Sequence, residues 1–227
     1  MRPEADRIFA DRAEAGRLLG ASVAAYLGRV GPPRRPPLVL ALPRGGVPVG
    51  REVARAIGGE LDVVVARKIG MPGHPEFGIG AVAEDGPAIF NPEVLRGAGL
   101  TEQDLAGAVA AERAEVARRV RRYRGDRPSP DVTGRVVVLV DDGLATGVTA
   151  AAALRALRQR QPERLIFAAP VCASDSADAL EAVADAVICE HRPRHFRAVG
   201  EWYADFSQLT DDEVEAILAG AAQTPDG

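Results

Sequence analysis

Two adjacent carboxylates, Asp141 and Asp142, close a run of branched apolar residues in "VVVLVDDGLATGVTA" (Val136–Ala150), and Thr146, Gly147 and Thr149 follow at once. Carboxylates in this place can accept hydrogen bonds from the hydroxyls of a ligand. The residues behind them can donate to a phosphate, because a helix N-terminus presents unpaired N–H groups and the positive end of its dipole. Gly147 lets the backbone come close to such a group. A ligand with a vicinal diol a few ångströms from a phosphate would satisfy both halves, and a ribose 5-phosphate is one. In an open parallel sheet, ligands bind beyond the carboxyl ends of the strands, which is where this run ends.

Two other stretches carry complementary chemistry. In "ALPRGGVPVG", Arg44 supplies a planar cation and Gly45-Gly46 supplies bare amides before a second helix, a combination suited to pyrophosphate. In "VVVARKIGMPGHPEFGIG", Arg67 and Lys68 form a basic pair. Of the 28 basic residues Lys68 alone is lysine, a compact point charge where the rest are planar forks, so it is preferred to Arg67 as a site residue. The Gly- and Pro-rich run from Gly70 to Gly80 reads as a loop able to close over a ligand. His74 and Glu76, in the same run, are weaker candidates. Glu84 and Asp85 read as hairpin residues rather than metal ligands.

These groups need a frame, and the apolar pattern predicts one. "LVLAL", "ELDVVVARKIG", "RVVVLV", "ERLIFAAPV" and "DAVICE" read as five strands. Helical spacing appears in Ala10 to Gly28, "VPVGREVARAIG", "TEQDLAGAVAAERAEVARRVRRYRG" with Thr101 as cap, Val148 to Gln161, "SDSADALEAVA" and "TDDEVEAILAG". Alternating strands and helices predict an α/β fold: a parallel central sheet with helices on both faces. A hairpin turning at Asp85-Gly86 is added to it. The chain reads as one domain, 1–227, with its core at about 38–190 and an inserted hairpin and helix segment at about 71–127. A small hood would come from the chain ends, 1–30 and 191–227.

Composition narrows the class. The chain has 227 residues, 47% hydrophobic and 26% charged, with net charge −4. That balance is ordinary for a globular protein and offers no general attraction to nucleic acid. The arginines of "RRVRRYRGDR" suit a helix C-terminus better than a nucleic-acid surface. No apolar run approaches a membrane span and the N-terminus does not read as a signal peptide, so the expected location is cytoplasmic. Cys172 and Cys189 each lie in an apolar strand-like run, which predicts buried free thiols rather than a disulfide.

"VVVLVDDGLATGVTA" resembles the phosphoribosyl-diphosphate (PRPP) signature of the type I phosphoribosyltransferases, and "VDDGLATGVT" especially resembles its adenine-type members. "PRGG" is similar to that family's pyrophosphate loop, where unusual peptide geometry is common. The resemblance implies that Asp141 and Asp142 hold the ribose hydroxyls. Ala145, Thr146, Gly147, Val148 and Thr149 would wrap the 5-phosphate. Arg44, Gly45, Gly46 and Lys68 would serve the pyrophosphate. Mg²⁺ would be held mainly by PRPP, with Asp141 or Asp142 reaching it through water. The implied reaction transfers 5-phosphoribosyl to a nitrogen of a nucleobase-like acceptor. Ala145 stands where 6-oxopurine enzymes of the family carry an extra acid. Trp202 and Tyr203, with Phe206, are the candidates to stack on the acceptor; packing as core aromatics is the alternative for them. The family also makes a homodimer conceivable. Two alternatives stay open: a PRPP-sensing regulator without turnover, and a phosphoribosyl-directed hydrolase.

Overall fold

The computed structural model describes residues 9–222; the parts of the expected hood at 1–8 and 223–227 lie outside the described residues. In chain order the elements are α1 (Arg12–Val30), β1 (Leu38–Ala41), α2 (Gly46–Ile57), β2 (Glu60–Val63), β3 (Ala66–Met71), β4 (His74–Ala83), β5 (Ile89–Phe90), α3 (Pro92–Ala98) and α4 (Ala106–Arg124). Then follow β6 (Val136–Val140), α5 (Val148–Gln159), β7 (Arg164–Val171), α6 (Ser174–Leu180), β8 (Ala186–His191) and α7 (Asp211–Ala222).

Five strands form one parallel sheet in the order β2-β1-β6-β7-β8. Its apolar runs are continuous because both faces are covered. Leu38, Leu40, Val137, Leu139, Leu165 and Phe167 face Ala153, Leu154 and Leu157 of α5 and Leu180 of α6. The alternate residues Val39, Val136, Val138, Ile166 and Ala168 face Leu19 and Val23 of α1 and Val49 and Val53 of α2. The expected α/β architecture is therefore present.

The run "ELDVVVARKIG" does not make one strand. It divides into β2, in the main sheet, and β3, in a three-stranded antiparallel sheet ordered β3-β4-β5. The reason is the length of the neighbour. Strand β1 ends at Ala41, opposite Val63, and after Val64 donates its N–H to the Ala41 carbonyl (3.1 Å) no partner continues. The chain then pairs with β4 instead, Lys68 opposite Ala81. The run expected as a loop from Gly70 to Gly80 is largely strand in this hairpin, turning at Gly73 with φ 79°. The second turn falls where the sequence places it: Asp85 is left-handed (φ 57°) between β4 and β5.

The structure adds α3, which the periodicity reading leaves unassigned because the helix is short. Its signals are local. The Asn91 side chain accepts from the amides of Glu93 and Val94, Pro92 opens the helix, and Gly99 ends it in the left-handed conformation. Thr101 caps as expected, exchanging hydrogen bonds with Asp104 (2.8 Å and 3.3 Å).

The cysteine expectation is corrected. Cys172 and Cys189 form a disulfide, with Cα atoms 6.2 Å apart. Strands β7 and β8 are parallel neighbours, Ala169 opposite Cys189, so the two sulfurs meet at the carboxyl edge. The intervening 17-residue separation, filled by α6, hides that proximity in the sequence.

Candidate functional site

The carboxyl ends of β1 and β6 lie side by side, Ala41 opposite Val140, and they bring together two stretches far apart in the chain. The acid pair follows β6, and "PRGG" follows β1. The two loops touch. A Cβ on Gly45 would lie 1.9 Å from Asp142 Oδ2, and one on Gly46 would lie 2.7 Å from the Val140 carbonyl. The space for a side chain is taken by the Asp142 carboxylate at Gly45 and by the backbone of β6 at Gly46. The Pro43–Arg44 peptide is cis.

Asp141 and Asp142 are partly buried. Asp141 Oδ1 accepts from the Asp142 amide at 2.9 Å. Burial, and then the neighbouring Asp142 charge, hold the Asp141 carboxyl well above the usual carboxylate range. Burial raises Asp142 too, opposed by the guanidinium of Arg12. Arg12, at the start of α1, donates from Nε to Asp142 Oδ2 at 2.8 Å. No spacing in the sequence signals this contact, since 130 residues separate the partners.

Behind the acids, Leu144 locks the loop to the end of β7. Its N–H donates to the Val171 carbonyl, and its carbonyl accepts from Ala173, both at 2.8 Å. Ala145 and Thr146 are exposed, and the Ser176 hydroxyl of α6 holds the Ala145 carbonyl at 2.5 Å. Gly147 is left-handed (φ 71°) immediately before α5. No side chain caps the N-terminus of α5, which opens between Thr146 and Thr149. Ser176 is a second contributor that sequence spacing does not reveal.

The basic candidates separate by strand alternation. Lys68 pairs with Ala81 and Ala66 with Ala83, and these alanines pack on Ala152 and Ala156 of α5. Lys68 thus lies on the face of the small sheet turned toward α5, its methylenes running over Gly78. Arg67 points the other way and ion-pairs with Glu112 of α4 at 2.8 Å. Arg44 lies 3.8 Å from Asp211, at the first turn of α7. The Tyr123 hydroxyl donates to the same Asp211 at 2.5 Å, and burial with this bond pushes the phenol up to about 12. His74 is exposed at the β3–β4 turn, and the side chain of Glu76 lies outside the described part. Glu84 is not a simple turn residue: it ion-pairs with the buried Arg124 at 2.9 Å.

The tail aromatics are packed against one another. Phe9 pairs with the tail through hydrogen bonds to Trp202 and Ala204 (2.8 and 2.7 Å). Tyr203 is 5% exposed, packs on Phe9 and Phe206, and donates its hydroxyl to the Asp142 carbonyl at 2.6 Å. Trp202 stacks on His191, and the Arg12 guanidinium lies 4.0 Å over Phe206. In this arrangement Tyr203 is a core aromatic that supports the acid loop, not a ring open to an acceptor.

An acid pair, the start of α5 and a glycine loop converge at the carboxyl ends of β1 and β6. The phosphoribosyl transferase domain family matches residues 23–206. The chain belongs to the phosphoribosyltransferase family. Proteins from two strains of Mycobacterium tuberculosis, CDC 1551 / Oshkosh and H37Rv, are each 42% identical over 215 residues, and their names give them provisionally as phosphoribosyl transferases. The match covers 93% of this chain but 46% of each relative, so the chain spans about half their length. Among solved structures, TT1426 of Thermus thermophilus is 45% identical, with TM-score 0.78 over 94% of this chain and 98% of that one. AQ2163 of Aquifex aeolicus, 12% identical with TM-score 0.50 over 83% and 78%, shares the fold. Among the described residues, no helix is long and apolar enough to cross a membrane.

Proposed function

We propose that the protein transfers the 5-phosphoribosyl group of PRPP to a nitrogen of a nucleobase-like acceptor and releases pyrophosphate. The observation that carries this reading is the contact of the acid pair with the glycine loop, Asp142 Oδ2 lying against Gly45, with the α5 N-terminus following in the same loop. Sugar acceptors, phosphate donors and a pyrophosphate loop then share one strand edge. The C1–O bond to pyrophosphate breaks, the pyrophosphate keeps the electron pair, the acceptor nitrogen bonds to C1, and the proton that nitrogen carried passes to solvent. Asp141 and Asp142 position the ribose, which is orientation rather than bond-making chemistry. Lys68 and the Gly45-Gly46 amides would face the charge that grows on the leaving group, and Arg44 would join them by leaving Asp211, 3.8 Å away.

Mg²⁺ fits this site as a substrate-borne ion. Among the described residues, no three His, Cys, Asp or Glu side chains gather to hold a metal unaided. Two adjacent carboxylates beside a phosphate ligand are the donor set this cation uses. When bound it supplies Lewis-acid neutralisation of the pyrophosphate, and Asp141 or Asp142 would reach it through water.

The stacking of Tyr203 on Phe206 and of Trp202 on His191 favours a second reading, in which water replaces a stacked base and the product is free ribose phosphate. Calorimetric titration of Mg–PRPP, with product analysis against a panel of nucleobases, tests both. Micromolar-range binding that the Asp141→Asn/Asp142→Asn variant loses, followed by base-dependent pyrophosphate release, is the expected result. Ribose phosphate formed without a base supports the hydrolase. Binding with no pyrophosphate release at all would leave a PRPP sensor. No binding by folded wild-type protein would overturn the assignment.

A further inference from the structure

Asp142 is held from three sides by parts of the chain far from it in sequence. Arg12 Nε donates to Oδ2 at 2.8 Å, the Tyr203 hydroxyl donates to the main-chain carbonyl at 2.6 Å, and Gly45 lies against the carboxylate. Arg12 is itself fixed. Its side chain is 12% exposed, Nη1 donates to the Ser207 carbonyl at 3.0 Å, and the guanidinium plane lies 4.0 Å from the Phe206 ring centre. This use of edge, second donor and face together needs a planar fork; an ammonium group offers one point charge and no stacking face.

We propose that Arg12 is a positioning residue for the sugar. It fixes the Asp142 carboxylate against Gly45, so that the ribose-hydroxyl acceptor is set by the packing of the chain's two ends. A carboxylate has about four acceptor positions, so one donor on Oδ2 orients the group and still leaves room for a ligand hydroxyl. The inference rests on the PRPP reading of the same site. It adds that α1 and the tail at 203–207 act on the sugar-binding acid itself, beyond any part they take in acceptor choice.

The test is titration of Mg–PRPP into wild type, Arg12→Gln and Arg12→Lys, each paired with methyl phosphate, which carries a phosphate ester but no hydroxyl pair. Folding is followed by thermal melting. Loss of a hydrogen bond to a charged group predicts PRPP binding by Arg12→Gln weakened about tenfold or more. Methyl phosphate binding should stay at the wild-type value, which a merely structural role would not allow. Arg12→Lys should recover part of the loss. Folded Arg12→Gln binding PRPP as wild type does, or losing both ligands alike, would overturn the inference while leaving the PRPP assignment intact. Should Arg12→Gln fail to fold, Arg12→Lys decides: a weakened PRPP titration with methyl phosphate unchanged supports the proposal, and wild-type PRPP affinity overturns it. A wild type that binds methyl phosphate but not PRPP would overturn both readings.

Discussion

Asp141 is where function and stability oppose each other most directly. Its carboxyl is raised by burial and by Asp142, so the folded chain binds its proton more tightly than the unfolded chain does. The ionised form therefore costs stability at neutral pH. Asn at this position keeps an oxygen to accept from the Asp142 amide and removes the charge. Asp141→Asn is expected to melt at a higher temperature than wild type at neutral pH and to lose Mg–PRPP binding. The stability gap should open as pH rises from the ordinary aspartate value through the raised one, and vanish below both; melting curves across pH measure it. Gly45→Ala is expected to fail oppositely, losing stability and binding together, because its Cβ would sit 1.9 Å from Asp142 Oδ2. The acid pair and the glycine loop were legible because their residue types announce their chemistry. Arg12 was not, since an arginine opening an amphipathic helix looks like any other and its partner lies 130 residues away.

Secondary-structure elements decide which of two adjacent cations can serve the site. Alternation on β3 sends Arg67 to Glu112 and Lys68 toward the α5 side. Under the proposed function, Lys68→Ala should lower the rate of pyrophosphate release by tenfold or more, the scale of about one charge-assisted hydrogen bond. Arg67→Ala should leave that rate near wild type and cost no more than about 1 kcal/mol of stability, as for a part-exposed ion pair. A paired assay of both variants checks the contrast. The Cys172–Cys189 bridge works on the same scale, closing the segment that holds α6 and its Ser176 contact to the Ala145 carbonyl. Chain-entropy reasoning for a loop of this length predicts that reduction costs about 3 kcal/mol. Urea melts with and without dithiothreitol measure it, and a midpoint indifferent to the reductant would refute the bridge.

Across the whole molecule, the main sheet and the small sheet are joined by a buried charge cluster. Arg124, 4% exposed, donates to the Val63 carbonyl at 2.7 Å and to Glu84 at 2.9 Å, and its Nε lies 3.7 Å from Asp62. Removing the cation takes away the ion-pair partner of Glu84 and leaves Asp62 to Arg127 and the Val63 amide, so Arg124→Met should lose about 3–5 kcal/mol, far more than a surface arginine; chemical denaturation would show it. Burial already raises the Glu84 carboxyl despite Arg124. Local sequence was enough for the five apolar runs, the helix caps at Thr101 and the turn at Asp85, and for the chemistry of "VVVLVDDGLATGVTA". Each of these is set by periodicity, side-chain type or backbone conformation within a few residues. Tertiary structure alone decided the break between β2 and β3, the disulfide, the direction of Lys68 and the clasp of Arg12, Tyr203 and Gly45 on Asp142. Those depend on which strand ends first and which segments become neighbours, and a chain does not write its long-range contacts in the spacing of its residues.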